Sequence, residues 1–179
     1  MKTVIIYGGA GFIGTSAVNF FVNKNYKVVV LDKLTYAGNK INLYNLIKSN
    51  KVSFFKGDIS NLNLLIRLNN YYKPIYILNF AAESHVDRSI SDPDNFINSN
   101  MIGVYKILES LKKYKKNINK NFRFIHISTD EVYGSIKKGS FSENSPYNPS
   151  SPYSASKAAS DNLVKGWCTT YEIPFNITN

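Results

Sequence analysis

The chain has 179 residues, 44% of them hydrophobic and 14% aromatic, which is enough apolar side chain for one domain with a buried core and too much for a disordered chain. A single cysteine, Cys168, excludes an internal disulfide and a cysteine metal pair, and fits a reducing, cytoplasmic compartment. The formal charge of +10 favours anionic partners, a class that includes dinucleotides and nucleotide sugars as well as nucleic acids. No apolar run approaches the length of a membrane span, so no membrane partner is expected. The densest basic run, Lys112, Lys113, Lys115, Lys116, Lys120 and Arg123, reads as a solvated helix end that complements the macrodipole. No nucleic-acid motif accompanies it, so a nucleic-acid partner is not expected either.

Taken in order, residues 3 to 7 form a short apolar strand, and Gly8-Gly9-Ala10-Gly11-Phe12-Ile13-Gly14 follows at once. An amphipathic run then places Phe12, Ile13, Ala17, Phe20 and Phe21 at helical spacing. The glycines at 8, 11 and 14 permit a tight turn, close approach of a pyrophosphate, and close packing of helix on strand. A second strand, Lys27 to Leu31, ends in Asp32, eighteen residues beyond Gly14. A carboxylate at that offset accepts from ribose hydroxyls and repels a 2′-phosphate, so NAD is favoured over NADP, a preference that the adjacent Lys33 softens.

Leu34 to Asn39 reads as a loop, followed by a helical stretch through Ile47 and a third strand from Val52 to Lys56. Gly57-Asp58-Ile59 closes that strand, and Ser60 has the position of a cap for a helix to about Tyr71. Asp58 is read equally as a partner for adenine and as an ordinary turn acid. Pro74 opens a fourth strand, Ile75 to Phe80, and two alanines, Ala81 and Ala82, follow where a cofactor must approach the backbone. Glu83, His85 and Asp87 are expected in hydrogen-bonded loop roles, because no second cluster completes a metal site. A long helix is expected from Pro93, with Phe96, Ile97, Met101, Val104, Ile107, Leu108 and Leu111 as its core stripe. Ser99 and Asn100 on that helix face either solvent or the cleft.

The run Phe122, Phe124, Ile125 to Ile127 reads as a buried parallel strand whose polar tail, Ser128-Thr129-Asp130-Glu131, falls at its carboxyl end. That is where open α/β sheets bind ligands. A loop from Ser135 to Pro152, held extended by Pro146, Pro149 and Pro152, leads to a helix from about Tyr153 to Tyr171. Tyr153 and Lys157 lie four apart on one face of it, where an ammonium lowers the phenol from its ordinary value near 10 toward a usable base. Taken alone, the acid pair also reads as a turn and the Tyr–Lys pair as surface decoration. Pro174 to Thr178 closes a sixth strand. The alternation of strand and helix predicts an α/β fold, a doubly wound parallel sheet of Rossmann type with helices on both faces.

Five ordered segments resemble the extended short-chain dehydrogenases/reductases, specifically the NAD-dependent nucleotide-sugar epimerase/dehydratase family. They are Gly8 to Gly14, Asp32 to Asn39 (DKLTYAGN), Ala81 to Ser89 (AAESHVDRS), Ser128 to Gly134 (STDEVYG) and Pro149 to Lys157 (PSSPYSASK). The pair Asp130-Glu131 points within the family to the 4,6-dehydratases, since epimerases and decarboxylases generally lack it. The resemblance implies conversion of dTDP-glucose, alternatively UDP-glucose, to a 4-keto-6-deoxy sugar and water. Tyr153, assisted by Lys157 and Thr129, takes the 4-hydroxyl proton as hydride passes to NAD. Glu131 then removes the C5 proton, while a protonated Asp130 donates to the departing 6-hydroxyl.

Cofactor roles are implied for Gly8, Gly11, Phe12, Ile13, Gly14, Asp32, Lys33, Thr35, Ala37, Gly38, Asp58, Ile59, Ala81, Ala82, Ser84, Ser99, Tyr153 and Lys157. Ser84 and Thr129 are implied to touch the sugar substrate. Tyr7 and Ser99 depart from the family's usual threonines. Family members continue past Asn179 into a smaller substrate lobe, so residues 1–179 are expected to be the NAD-binding domain, and a homodimer through the Pro93 to Tyr114 and Tyr153 to Tyr171 helices is expected. The competing reading from another class is a non-catalytic NAD-binding module.

Overall fold

A computed structural model describes residues 1–179. Six parallel strands, β1 (Thr3–Tyr7), β2 (Lys27–Asp32), β3 (Val52–Lys56), β4 (Tyr76–Asn79), β5 (Arg123–Ile127) and β6 (Phe175–Thr178), form one sheet in the order β3-β2-β1-β4-β5-β6. Strand order reverses between β1 and β4, where Tyr7 pairs with Asn79 at the carboxyl ends. A doubly wound sheet opens its ligand crevice at that switch point.

Alternation along the strands shows why both faces are covered. Ile5 and Tyr7 of β1 join Val29 and Leu31 of β2 in one core, while Val4, Ile6, Val28 and Val30 join the other. The first core is roofed by α3 (Leu62–Tyr72), α6 (Val104–Tyr114) and α7 (Pro152–Thr170). The second is covered by α1 (Phe12–Asn23) and α2 (Tyr44–Lys48), whose Val18, Leu46 and Ile47 pack there. Short α4 (Val86–Ser91) and α5 (Asp94–Phe96) link β4 to α6. No helix is long and apolar enough to cross a membrane.

Several boundaries differ from the sequence reading. Asn61, not Ser60, caps α3: its side chain accepts from Leu64 N at 3.1 Å, while Asp58 Oδ1 takes the Ser60 N–H at 2.8 Å. The segment after Asn39 begins as a 3-10 turn, Lys40–Leu43, before α2. Pro152 does not extend the loop but opens α7 as its first residue, where a missing N–H costs nothing. The helix expected from Pro93 carries a π-helical segment, Ile97–Gly103, between α5 and α6. Such a segment rotates the following side chains relative to the α-helical stripe and is common at functional sites.

Candidate active site

A cleft of about 540 Å³ opens over the β1/β4 switch point. Its floor is the turn from β1 to α1. Gly8 has φ +75, and a Cβ there would meet Ala81 N at 2.6 Å. A Cβ on Gly14 would meet Gly8 O at 2.1 Å, so only glycine lets α1 pack this closely on the turn. Gly11 caps α1 with no side-chain hydrogen bond, and no acidic residue occupies the first turn. The free amide groups at that helix start and the positive end of the helix dipole suit an anion, and Gly11, Phe12 and Ile13 line the cleft there.

Asp32 ends β2 at 8% exposure. Its Oδ2 accepts from Ala10 N at 2.9 Å and its Oδ1 from Leu34 N at 2.8 Å, so it ties the glycine turn to the next loop. A carboxylate offers about four acceptor positions, so two remain unused on a residue that lines the cleft. Gly38 is required beside it, since a Cβ there would approach Asp32 Oδ1 to 2.7 Å. Lys33 pairs with Asp58 across the ends of β2 and β3 at 2.8 Å. Burial raises the Asp58 carboxyl, but Lys33 and the Ser60 hydrogen bonds together bring it below the ordinary value.

The far wall comes from β4, β5 and α7. Ala81, Ala82, Glu83 and Ser84 line it, with Ser99 from the π-helical segment. Asn100, next to Ser99, is buried and holds the wall in place. Its Oδ1 accepts from Glu83 N at 2.9 Å, and its Nδ2 donates to Glu83 O and to Ser156 Oγ, both at 2.9 Å. Of the two residues expected to face solvent or cleft, Ser99 lines the cleft, whereas Asn100 faces neither and is buried behind its wall.

Tyr153 and Lys157 occupy the first two turns of α7, whose start is fixed by a capping box between Ser151 and Ser154. Both are buried, at 8% and 4% exposure, which rules out the surface-decoration reading. Lys157 Nζ donates to Ile127 O at 2.6 Å. Burial lowers the ammonium to about 8, with Asp161 acting in the opposite sense. The expectation of a lowered Tyr153 is not met in this structure. Burial raises the phenol, the negative charges of Glu131, Asp130 and Asp161 push the same way, and a hydrogen bond with the Thr129 side chain opposes them. The ring of Phe96 stacks edge-on against it at 6.3 Å.

Thr129, Asp130 and Glu131 sit just outside the cleft lining, on a 3-10 turn, Asp130–Tyr133, directly after β5. Thr129 caps this turn, its Oγ1 accepting from Glu131 N at 3.3 Å. Asp130 is exposed and Glu131 half-buried. Gly134 closes the turn at φ +95, where a Cβ would meet Asn148 O at 2.5 Å. Every expected cofactor residue lines the cleft: Gly8, Gly11, Phe12, Ile13, Gly14, Asp32, Lys33, Thr35, Ala37, Gly38, Asp58, Ile59, Ala81, Ala82, Ser84, Ser99, Tyr153 and Lys157. Leu31, Phe80, Ile127 and Ser128 line it too, without a cofactor role expected for them; all stand at strand ends, and Ile127 and Ser128 belong to the strand end expected to bind ligands.

Comparison with known proteins matches this geometry. Residues 5–179 match the model of the GDP-mannose 4,6 dehydratase family. The chain is 45% identical to the dTDP-glucose 4,6-dehydratase of Haemophilus influenzae over 100% of its own length and 55% of that protein's. It is 48% identical to the Xanthomonas campestris enzyme of the same name, covering 100% of this chain and 52% of that one. Among solved structures, Streptomyces venezuelae DesIV, a dTDP-glucose 4,6-dehydratase with NAD and TYD bound, superposes with a TM-score of 0.90 at 40% identity, over 98% of this chain and 54% of the other. A Thermotoga maritima UDP-glucose 4-epimerase with UDP-glucose gives 0.87 at 26%, over 98% and 54%. The chain thus spans about half the length of the curated relatives it matches. By sheet order, glycine turn and matched sequence together, it belongs to the GDP-mannose 4,6 dehydratase family.

Proposed function

We propose that the protein carrying this chain is an NAD-dependent nucleotide-sugar 4,6-dehydratase that converts dTDP-glucose to its 4-keto-6-deoxy derivative with loss of water. The observation that carries this reading is the acid pair, Asp130 and Glu131, on a turn whose Thr129 cap lies beside Tyr153. A pure dinucleotide binder has no use for two carboxylates there.

The cradle fits NAD. A Cβ would fill it at Gly8 and Gly14, the α1 terminus is uncapped, and Asp32 retains acceptor capacity toward a ribose while opposing a 2′-phosphate. When bound, NAD supplies the hydride acceptor for sugar C4 and the donor for C6. Tyr153 takes the 4-hydroxyl proton, and Thr129 hydrogen-bonds the same oxygen. For that step Tyr153 must start as phenolate and end as phenol, and Lys157, four residues along the same helix and fixed by Ile127 O, is the cation available to favour that phenolate. Once C4 is a ketone the C5 proton is acidic, and Glu131 removes it as Asp130 protonates the leaving 6-hydroxyl. Ser84 lines the far wall of the cleft, which supports its reading as a contact for the sugar nucleotide. A second copy of this chain is the expected protein partner, supported by the exposed Ile97 and Ile102 on the long helix.

Incubation of the protein with NAD and either dTDP-glucose or UDP-glucose, scored by the alkaline absorbance of the 4-keto product, tests the reading. Turnover is expected, fastest with dTDP-glucose, and Glu131→Gln is expected to lower it by about 10²–10⁴-fold. NAD binding with no turnover of either sugar would instead favour the binding module.

A further inference from the structure

Behind the Tyr153–Lys157 pair lies a buried carboxylate that the chemistry above does not use. Asp161 stands one helical turn beyond Lys157 on α7 and is 0% exposed. A carboxylate so placed is unfavourable unless its charge is partnered. Its Oδ2 accepts from Ser128 Oγ at 2.6 Å and from Tyr147 OH at 3.0 Å. Its Oδ1 has no hydrogen-bond partner and faces His126 Nε2 at 3.4 Å.

His126 does not supply the missing charge. Burial, reinforced by Lys157, keeps its imidazole neutral, and its ring nitrogens lie 3.2 Å from Asn79 Nδ2 and from Ser160 Oγ. The remaining neighbours are Tyr133 on the 3-10 turn, and Tyr153 and Lys165 on α7. The phenols carry no positive charge, and Lys165 is exposed over the Tyr147 ring, where solvent screens it. Lys157 is the one buried cation, four residues from Asp161 on the same helix. The two residues grip consecutive positions of the strand end: Lys157 takes the Ile127 carbonyl and Asp161 the Ser128 hydroxyl.

We propose that Asp161 is a positioning residue for the catalytic pair, the buried counter-charge that keeps Lys157 a cation and that, through Ser128, fixes to α7 the strand end carrying Thr129, Asp130 and Glu131. This rests on the reading of Tyr153 and Lys157 as the proton-transfer pair.

The test is a ¹³C NMR titration of the chain with lysines labelled at Cε, the Lys157 signal being identified by its loss in Lys157→Met. Its midpoint is expected near the value of about 8. Asp161→Asn, which keeps the shape and removes the charge, should lower that midpoint by about one pH unit, and Asp161→Glu should recover part of the shift. Tyr147→Phe, which deletes a hydrogen bond but no charge, should move it by only a few tenths. An unchanged midpoint in Asp161→Asn, or an equal shift in Tyr147→Phe, overturns the proposal. A second reading needs no Asp161 variant: with aspartate labelled at Cγ, the Asp161 signal should step at the Lys157 midpoint and lose that step in Lys157→Met. Absence of the step in the unmodified chain also overturns the pairing. Neither titration requires turnover, so failure of the dehydratase reading in the sugar assay is a separate result.

Discussion

At the scale of single residues, the site works by setting charge against burial. Tyr153 is the clearest case. A lysine four residues away should favour phenolate, yet Lys157 donates to Ile127 O, and the charges that act on the phenol are those of carboxylates. The sequence could not show this, because Phe96, Glu131 and Asp161 reach Tyr153 only through the fold. In the absence of added nucleotide, the phenol should therefore titrate above its ordinary value near 10. An ultraviolet pH titration checks it: the difference between the chain and Tyr153→Phe should show no phenolate at neutral pH. A midpoint below 10 would mean that Lys157 dominates after all. Lys157 itself illustrates the reverse balance, since burial lowers it and Asp161 alone holds it up. Asp32 was legible as an acceptor from its spacing, but its grip on Ala10 N and Leu34 N was not, because backbone donors leave no mark in a sequence.

At the scale of elements, the strand–turn–helix unit was the most legible part of the chain. Its glycines answer to steric demands that residue type alone reveals. Gly14 and Gly166 give opposite predictions from the same substitution. Gly14→Ala forces a Cβ to 2.1 Å from Gly8 O and should destabilise the chain by about 3 kcal/mol or more, with loss of NAD binding. Gly166, within α7, has nothing within 4 Å of an added Cβ, so Gly166→Ala should stabilise by about 0.5–1 kcal/mol. Urea unfolding of both variants checks the pair, and equal effects would contradict the packing described. Less legible was the π-helical segment at Ile97–Gly103, because the apolar spacing of Phe96, Met101, Val104 and Ile107 still satisfies an α-helical stripe. The choice between Ser60 and Asn61 as the α3 cap was also closed to the sequence, since both side chains can serve and only the competing Asp58 bond separates them.

At the scale of the whole molecule, many of the cations behind the charge of +10 have local partners. Lys24, Lys27, Lys40, Lys48, Arg88, Lys106, Lys112 and Lys165 each lie over an aromatic ring. In the basic run, Lys112 also meets Glu109 and Lys115 meets Glu172, so that helix end is satisfied locally. The buried polar layer beneath β4 and β5 makes stability depend on pH. Burial and Lys157 hold His126 well below its ordinary value of about 6.5, so below that pH the unfolded chain takes a proton that the folded chain refuses. Thermal stability should therefore fall as pH drops from about 6.5 toward 5. His126→Gln should flatten the slope in that interval, and an unchanged slope would place its origin elsewhere. Under the proposed dehydratase reading, one hydrogen travels within the sugar while another exchanges with water. The most direct measurement follows deuterium placed at C4 of dTDP-glucose through turnover in ordinary water, and protium from unlabelled substrate in heavy water. The account predicts the C4 label at C6 of the product and one solvent-derived deuterium at C5; washout of the C4 label, or no solvent label at C5, would contradict it.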